Sequence, residues 1–213
     1  MNMNVTIPTT WEDVTLEKYI NLRPILQTDQ TPVERVINIL CVLTGEKREQ
    51  IMNIKLVDYH SILKKMDFLN TELPTTLKGK YFEINNDWYE FKLDAKTLLF
   101  GEYIYSMEIL QKAADNEEVI FSNLHRLLTT ICRPVKKVNN KFKPIDMDGE
   151  LIRKTSDNFY KYMPITIAYP ISVFFCNHLP NLMQDIKTSL MRTAQKEIKE
   201  VIADLQKDGV GGL

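Results

Sequence analysis

Glycine is scarce in this chain: seven among 213 residues, three of them in the closing stretch 209–213. That leaves no glycine-rich loop to cradle a phosphate. Cysteine is equally sparse. Cys41, Cys132 and Cys176 are an odd, scattered set in apolar helical surroundings, which argues against a disulfide framework or a metal site and for buried free thiols. The three histidines, His60, His125 and His178, lie far apart with no partner at ligand spacing, so each reads as a packing or surface residue. No serine or cysteine sits in a nucleophile-elbow context. Asp146-Met147-Asp148-Gly149 begins like a calcium loop, but its glycine comes too early and no closing glutamate follows; it reads as a turn. These absences point away from an enzyme and predict no cofactor and no metal. The most apolar run, 165–176, has about half the length of a membrane span and contains Pro170. It reads as a core helix, and no membrane partner is expected. No secretory signal is visible at the start. A net charge of −1 gives no global attraction to nucleic acid or acidic membranes.

What is present is the composition of a globular helical protein, 44% hydrophobic and 26% charged. Lysine outnumbers arginine 20 to 7, with 15 asparagines and six alanines; alanine favours helices, so this bias reflects an AT-rich genome more than a structural need. The chain reads as mainly α: two similar three-helix units joined by a β-hairpin, plus a long C-terminal helix. Residues 1–14 form an extended N-terminal arm anchored by Trp11. The first helical unit, 15–78, opens at Thr15 with Leu16, Tyr19, Leu22 and Leu26 on one face and Pro24 expected to kink or shorten the helix. Thr31-Pro32-Val33-Glu34 is a second helix start, with cap, N1 proline and a glutamate three residues on. Its stripe is Val33, Val36, Ile37, Leu40 and Leu43, and Gly45 caps its end. A short turn at 46–52 and a helix at 57–69 complete the unit. The hairpin joint, 79–95, turns at Asn86-Asp87. The second unit, 96–180, holds a helix at 98–114, another opened by Asp115-Asn116-Glu117-Glu118 that stops before Pro134, a long loop at 134–156, and a helix pair interrupted at Pro170. The C-terminal helix and tail occupy 181–213.

An offset of 84 residues lays 16–43 on 100–127 without a gap. Tyr19, Ile20, Ile25, Leu26, Gln27, Glu34, Leu40 and Leu43 then meet identical residues, and the two helix starts coincide. Eight identities with aligned caps favour a duplication over the agreement that any two amphipathic helix pairs can find. Two such units would share one continuous core.

Surface features point to contacts rather than chemistry. Between 133 and 154, Arg133, Lys136, Lys137, Lys141, Lys143, Arg153 and Lys154 face Asp146, Asp148 and Glu150, a local charge of +4. This is either a solvated loop or an arm that reaches an acidic partner or passing DNA. Only Phe142 is interleaved, which gives single-strand stacking little support. The C-terminal helix carries a narrow stripe with Leu190, Ile198, Val201 and Leu205, suited to its own core or to a neighbouring subunit. The hairpin aromatics Tyr81, Trp88 and Phe91, with Trp11, are further contact candidates. One hairpin face should pack on helices and the other should cover the joint or meet a neighbour.

The pattern W-x-D-V-T-L-x-x-Y at 11–19, the helix end Leu43-Thr44-Gly45, Gly79-Lys80-Tyr81 with its hairpin, and Leu99-Phe100-Gly101-Glu102-Tyr103 together resemble small helical morphogenesis proteins of tailed bacteriophages, notably the crAss-like gut phages. The resemblance spans roughly 11–133 and carries no catalytic signature. It implies a virion protein made in a bacterial cytoplasm: a ring-forming subunit of the head–tail connector or tail. Such a subunit would contact copies of itself in a cyclic homo-oligomer, portal or neighbouring ring proteins, and DNA only by passive proximity. The alternative is a tail assembly chaperone that holds the tape-measure protein.

Overall fold

The computed structural model describes residues 6–92, 99–113 and 117–174. Nearly all of these belong to the first of two compact units, Met1–Ser172 and Val173–Leu213. The first unit is mainly helical and carries a four-stranded antiparallel sheet.

The helix starts follow the cap chemistry. The Thr15 hydroxyl accepts from the Lys18 amide ahead of α1 (Leu16–Gln27), and Thr31 accepts from the Glu34 amide ahead of α2 (Pro32–Thr44). Gly45 ends α2 at φ 77°, a left-handed conformation that suits glycine. Pro24 lies inside α1 without ending it. The stripes are narrower than expected, since Leu26 and Val33 are exposed. The side chain of Glu34 forms a bidentate pair with Arg48, at 2.7 and 2.8 Å, which ties α2 to α3 (Arg48–Met52). Next come α4 (Leu56–Lys65) and a 3₁₀ turn, Met66–Asn70.

In the N-terminal segment, the described residues from Thr6 onward act as a clasp. Trp11 opens a 3₁₀ turn, its ring edge-on to Tyr19 and Phe68, and its indole N–H donates to the Thr71 carbonyl at 3.0 Å. Just beyond, the Leu16 amide donates to Met163 and the Ile165 amide to Val14, both at 2.8 Å. Val14, Leu16, Met163 and Ile165 are fully buried at this crossing.

In the second half, α5 (Phe100–Ala113) is followed by α6 (Glu117–Ser122) and α7 (Leu124–Ile131). The helix expected as one piece from the opening at 115–118 to before Pro134 is broken at Asn123, whose side-chain amide donates to the Val119 carbonyl. The stretch expected as a long loop is a second hairpin and a helix: β3 (Cys132–Val138), β4 (Lys141–Pro144) and α8 (Gly149–Tyr162). Asp148 caps α8 by accepting from the Leu151 amide at 2.8 Å, so the Asp-Gly pair starts a helix. The interruption falls at Met163–Pro164, not Pro170. Pro164 offers its carbonyl to the Ile167 and Ala168 amides at the start of the next helix, where its missing N–H costs nothing.

The first hairpin joins β1 (Tyr81–Ile84) to β2 (Asp87–Phe91) through Asn85-Asn86, one residue earlier than expected. It is not isolated. The sheet runs β1-β2-β3-β4, with α5 to α7 inserted between β2 and β3. The helix pairs matched by the 84-residue offset both feed one core. Leu16, Leu22, Leu40 and Leu43 from the first half and Leu124, Leu127, Leu128 and Phe159 from the second are all essentially without solvent contact.

Candidate functional site

Register divides the sheet residues between two faces. Phe82 pairs with Tyr89, and Phe91 with Cys132. All four are buried, with Phe82 and Tyr89 set against Phe159 of α8. Asn158, one residue earlier, donates to the Tyr89 hydroxyl at 2.8 Å and to the Ile84 carbonyl at 3.4 Å, and accepts from the Asn85 amide at 3.2 Å. This network satisfies a buried amide and clamps the hairpin tip to the helix. Burial raises the Tyr89 phenol above its ordinary pKa.

The opposite face collects side chains from all four strands. Trp88 pairs with Val135, and Lys137 with Phe142. The Tyr81 ring, on β1, stacks on Phe142, on β4, with centroids 4.2 Å apart and planes within 18°. These are the two edge strands of the sheet, so the contact shows that the sheet curls and that the two side chains lean toward each other across β2 and β3. Trp88 joins them at 5.0 Å from Phe142. The Lys137 ammonium lies 5.3 Å from the Trp88 ring centroid and 5.8 Å from that of Phe142, within cation–π range. Lys80 sits over Tyr81 and pairs with Glu90. Among the described residues, Lys136, Lys137, Lys141 and Lys143 form no ion pair; all four are exposed.

An ionic cluster braces the sheet against α5. Glu102 accepts from Arg133 at 3.0 and 3.2 Å, from Lys92 at 3.3 Å and from the Leu99 amide at 2.7 Å. Burial holds the Lys92 ammonium below its ordinary pKa despite the adjacent carboxylate.

A cavity of about 690 Å³ opens between α5, α7 and α8, with Glu102, Tyr105, His125, Arg126, Arg153 and Asp157 in its wall. Burial, aided by Arg126, lowers the His125 pKa to about 4. The imidazole is therefore uncharged near neutrality; its ring leans on Tyr160 at 5.0 Å, the setting of a packed histidine. The Cys132 thiol, wholly buried, is pushed far above its ordinary pKa, as befits an inert core thiol. Among the described residues no group of three or more His, Cys, Asp or Glu converges as a metal set would, and no helix is long and apolar enough to cross a membrane.

The expected contact residues are thus distributed unevenly. Tyr81, Trp88 and Lys137 come together on one face. Lys136, Lys141 and Lys143 flank it from the adjoining strands, on the other pleat. Trp11 and Phe91 are buried within the chain and offer no free ring to a partner. Leu190, Ile198, Val201 and Leu205, with the helix expected over 181–213, lie outside the described residues. Sequence reasoning did not connect Phe142 with Tyr81 and Trp88, although Asn139-Asn140 repeats the Asn85-Asn86 turn and could have exposed the second hairpin. No family model matches the chain, and comparison with curated proteins and with solved structures finds no match to it.

Proposed function

We propose that this chain is a structural, non-enzymatic subunit of a tailed bacteriophage virion, forming a ring in the head–tail connector or tail. The phage setting rests on the residue pattern at 11–19, 43–45, 79–81 and 99–103. The observation offered for the assembly part is the exposure of large apolar side chains on three helices of the first helical unit. Val33, Met52 and Val57 are 63%, 60% and 77% exposed, on α2, α3 and α4, and close packing of copies would remove them from water. In this reading 15–78 and 96–180 are related helical units, with α1–α2 and α5–α7 in equivalent places, and the hairpin at 79–95 is their joint. The stripe at Leu190, Ile198, Val201 and Leu205 belongs to a long C-terminal helix that adds to the contact between copies. Portal or neighbouring ring proteins are the further partners.

Light scattering coupled to gel filtration, followed by negative-stain imaging, tests the assembly. The expected result is a closed homo-oligomer that Val33→Asp with Val57→Asp converts to folded monomers. A monomer at all concentrations up to about 100 μM would overturn the ring. Mass spectrometry of purified particles tests the location. Absence from virions together with co-purification with a long tape-measure protein would instead favour the assembly chaperone.

A further inference from the structure

We propose that the outer face of the sheet binds single-stranded nucleic acid, its bases stacking on the Tyr81–Trp88–Phe142 cluster and its phosphates meeting the lysines of β3 and β4. The inference stands apart from the virion reading, because it rests on this face alone. Three aromatic rings from three strands lie within 5.0 Å of a neighbour on a half-exposed surface. Tyr81 remains 38% exposed even while stacked. Every base has a π-face, so such a platform accepts any sequence. Lys137 places its ammonium over two of the rings, so a stacked base would have a cation beside it for its phosphate.

Charge complementarity selects the occupant. The two hairpins, residues 80–92 and 132–144, carry Lys80, Lys92, Arg133, Lys136, Lys137, Lys141 and Lys143 against Glu83, Asp87 and Glu90, a surplus of four positive charges in a chain whose net charge is −1. Glu90 is held by Lys80, while Arg133 and Lys92 are held by Glu102. That leaves Lys136, Lys137, Lys141 and Lys143, all on the second hairpin around Phe142, against Glu83 and Asp87 on the first, so the positive end of the sheet is the β3–β4 side. β4 is the edge of the sheet, and Lys141 and Lys143 stand two residues apart along it, roughly 7 Å. Both belong to the pleat opposite the rings, so a polyanion meets them only by running along the outside of this edge strand, from which its bases turn over Lys137 onto the rings. A duplex offers phosphates but no free base face, and an acidic peptide offers charge but leaves the rings without a stacking partner.

The test is fluorescence anisotropy with 5′-labelled dT12, rU12 and a 12-base-pair duplex, together with tryptophan emission. The expected result is binding of dT12 or rU12 at least about tenfold tighter than the duplex, the dT12 and rU12 arms showing whether DNA or RNA is preferred. Binding should fall as salt rises, at about 0.7 log unit per decade of salt for each phosphate contact. Emission should be quenched in the natural chain but not in Trp88→Phe, because Trp11 is buried in the core. Trp88→Ala should weaken binding by about 5- to 150-fold. Lys137→Gln with Lys143→Gln, at exposed positions where folding is safe, should weaken it and flatten the salt slope. Either of two outcomes overturns the proposal: no binding at 100 μM protein in 50 mM salt, or equal binding of all three probes with Trp88 unquenched and Trp88→Ala without effect. A concentration-dependent dimer that Phe142→Ala abolishes, with no oligonucleotide binding, would assign the face to a second copy and equally overturn it.

Discussion

The hairpins β1–β2 and β3–β4 turn on the same dipeptide and lie side by side in one sheet, yet they are held by different forces. Both turns have two central residues at positive φ: Asn85 and Asn86 at 50° and 66°, Asn139 and Asn140 at 49° and 60°. Asparagine tolerates this left-handed conformation better than most residues, and it suits the twist of a two-residue hairpin. There the likeness ends. The first hairpin buries Phe82, Ile84, Tyr89 and Phe91 and is clamped by Asn158. The second buries only Cys132, Pro134 and Val135 at its base, and its tip carries lysines and one half-buried ring. Local turn chemistry thus makes a hairpin, while side-chain burial decides whether it becomes core or surface.

The sharpest break between the two comes from aromatic deletion. Phe159→Ala removes a fully buried ring from beneath the first hairpin and should cost about 3–5 kcal/mol in urea unfolding. Phe142→Ala, on the second, should cost about 1–3 kcal/mol, the scale of its two partly exposed aromatic pairs with Tyr81 and Trp88. Equal losses would mean that the outer face is as much core as the inner one. Next in size is Asn158→Ala, which leaves the Tyr89 hydroxyl and the Ile84 carbonyl without their shared donor; a loss of about 1–3 kcal/mol is expected. Tyr89→Phe in the same background should then cost little more, since the two share one network.

Asn86→Ala and Asn140→Ala set the turns against each other. Each removes the short polar side chain that makes left-handed backbone tolerable to asparagine, at up to about 1–2 kcal/mol. For Asn86 the loss should appear in global unfolding. For Asn140 it should appear mainly as faster amide exchange in β3 and β4, because so little core rests on that tip. A break of a different kind concerns pH. His125 has a pKa of about 4 in the folded protein against 6.5 for the free side chain, so the unfolded chain takes up its proton first. Stability present above pH 6.5 should decline as pH falls from about 6.5 to 4, with no further change from this group below that. His125→Phe should flatten that part of the profile, read as urea midpoints between pH 4 and 7.

The helix starts at Thr15 and Thr31 and the stop at Gly45 were legible because a cap is a local event: one side chain or one φ value within four residues. The first hairpin was legible too, since aromatic residues crowd both of its arms. The second was not. Lys136, Lys137, Lys141 and Lys143 make its strands look like loop, and their pairing is supplied by β2, which lies more than forty residues earlier in the chain. The start of α8 was missed for a related reason, because Asp148-Gly149 is as good a turn as it is a cap, and only packing on α7 and α1 decides between them. Trp11 was recognised as an anchor, but whether it anchors to a partner or to Phe68 and Thr71 is a question of sixty residues' separation.

By itself the sequence determined what short-range chemistry determines: a helical chain, capped where Thr, Pro and Gly say so, with Asn-Asn turns able to reverse a strand. Only the tertiary structure decided which aromatics go inside. Side chains alternate along a strand, so the partner that covers one row, here Phe159 behind and Phe142 in front, selects the face of every residue on it. It is that choice which buries Phe91, leaves Tyr81 and Trp88 half in water beside Lys137, and turns scattered lysines into a surface.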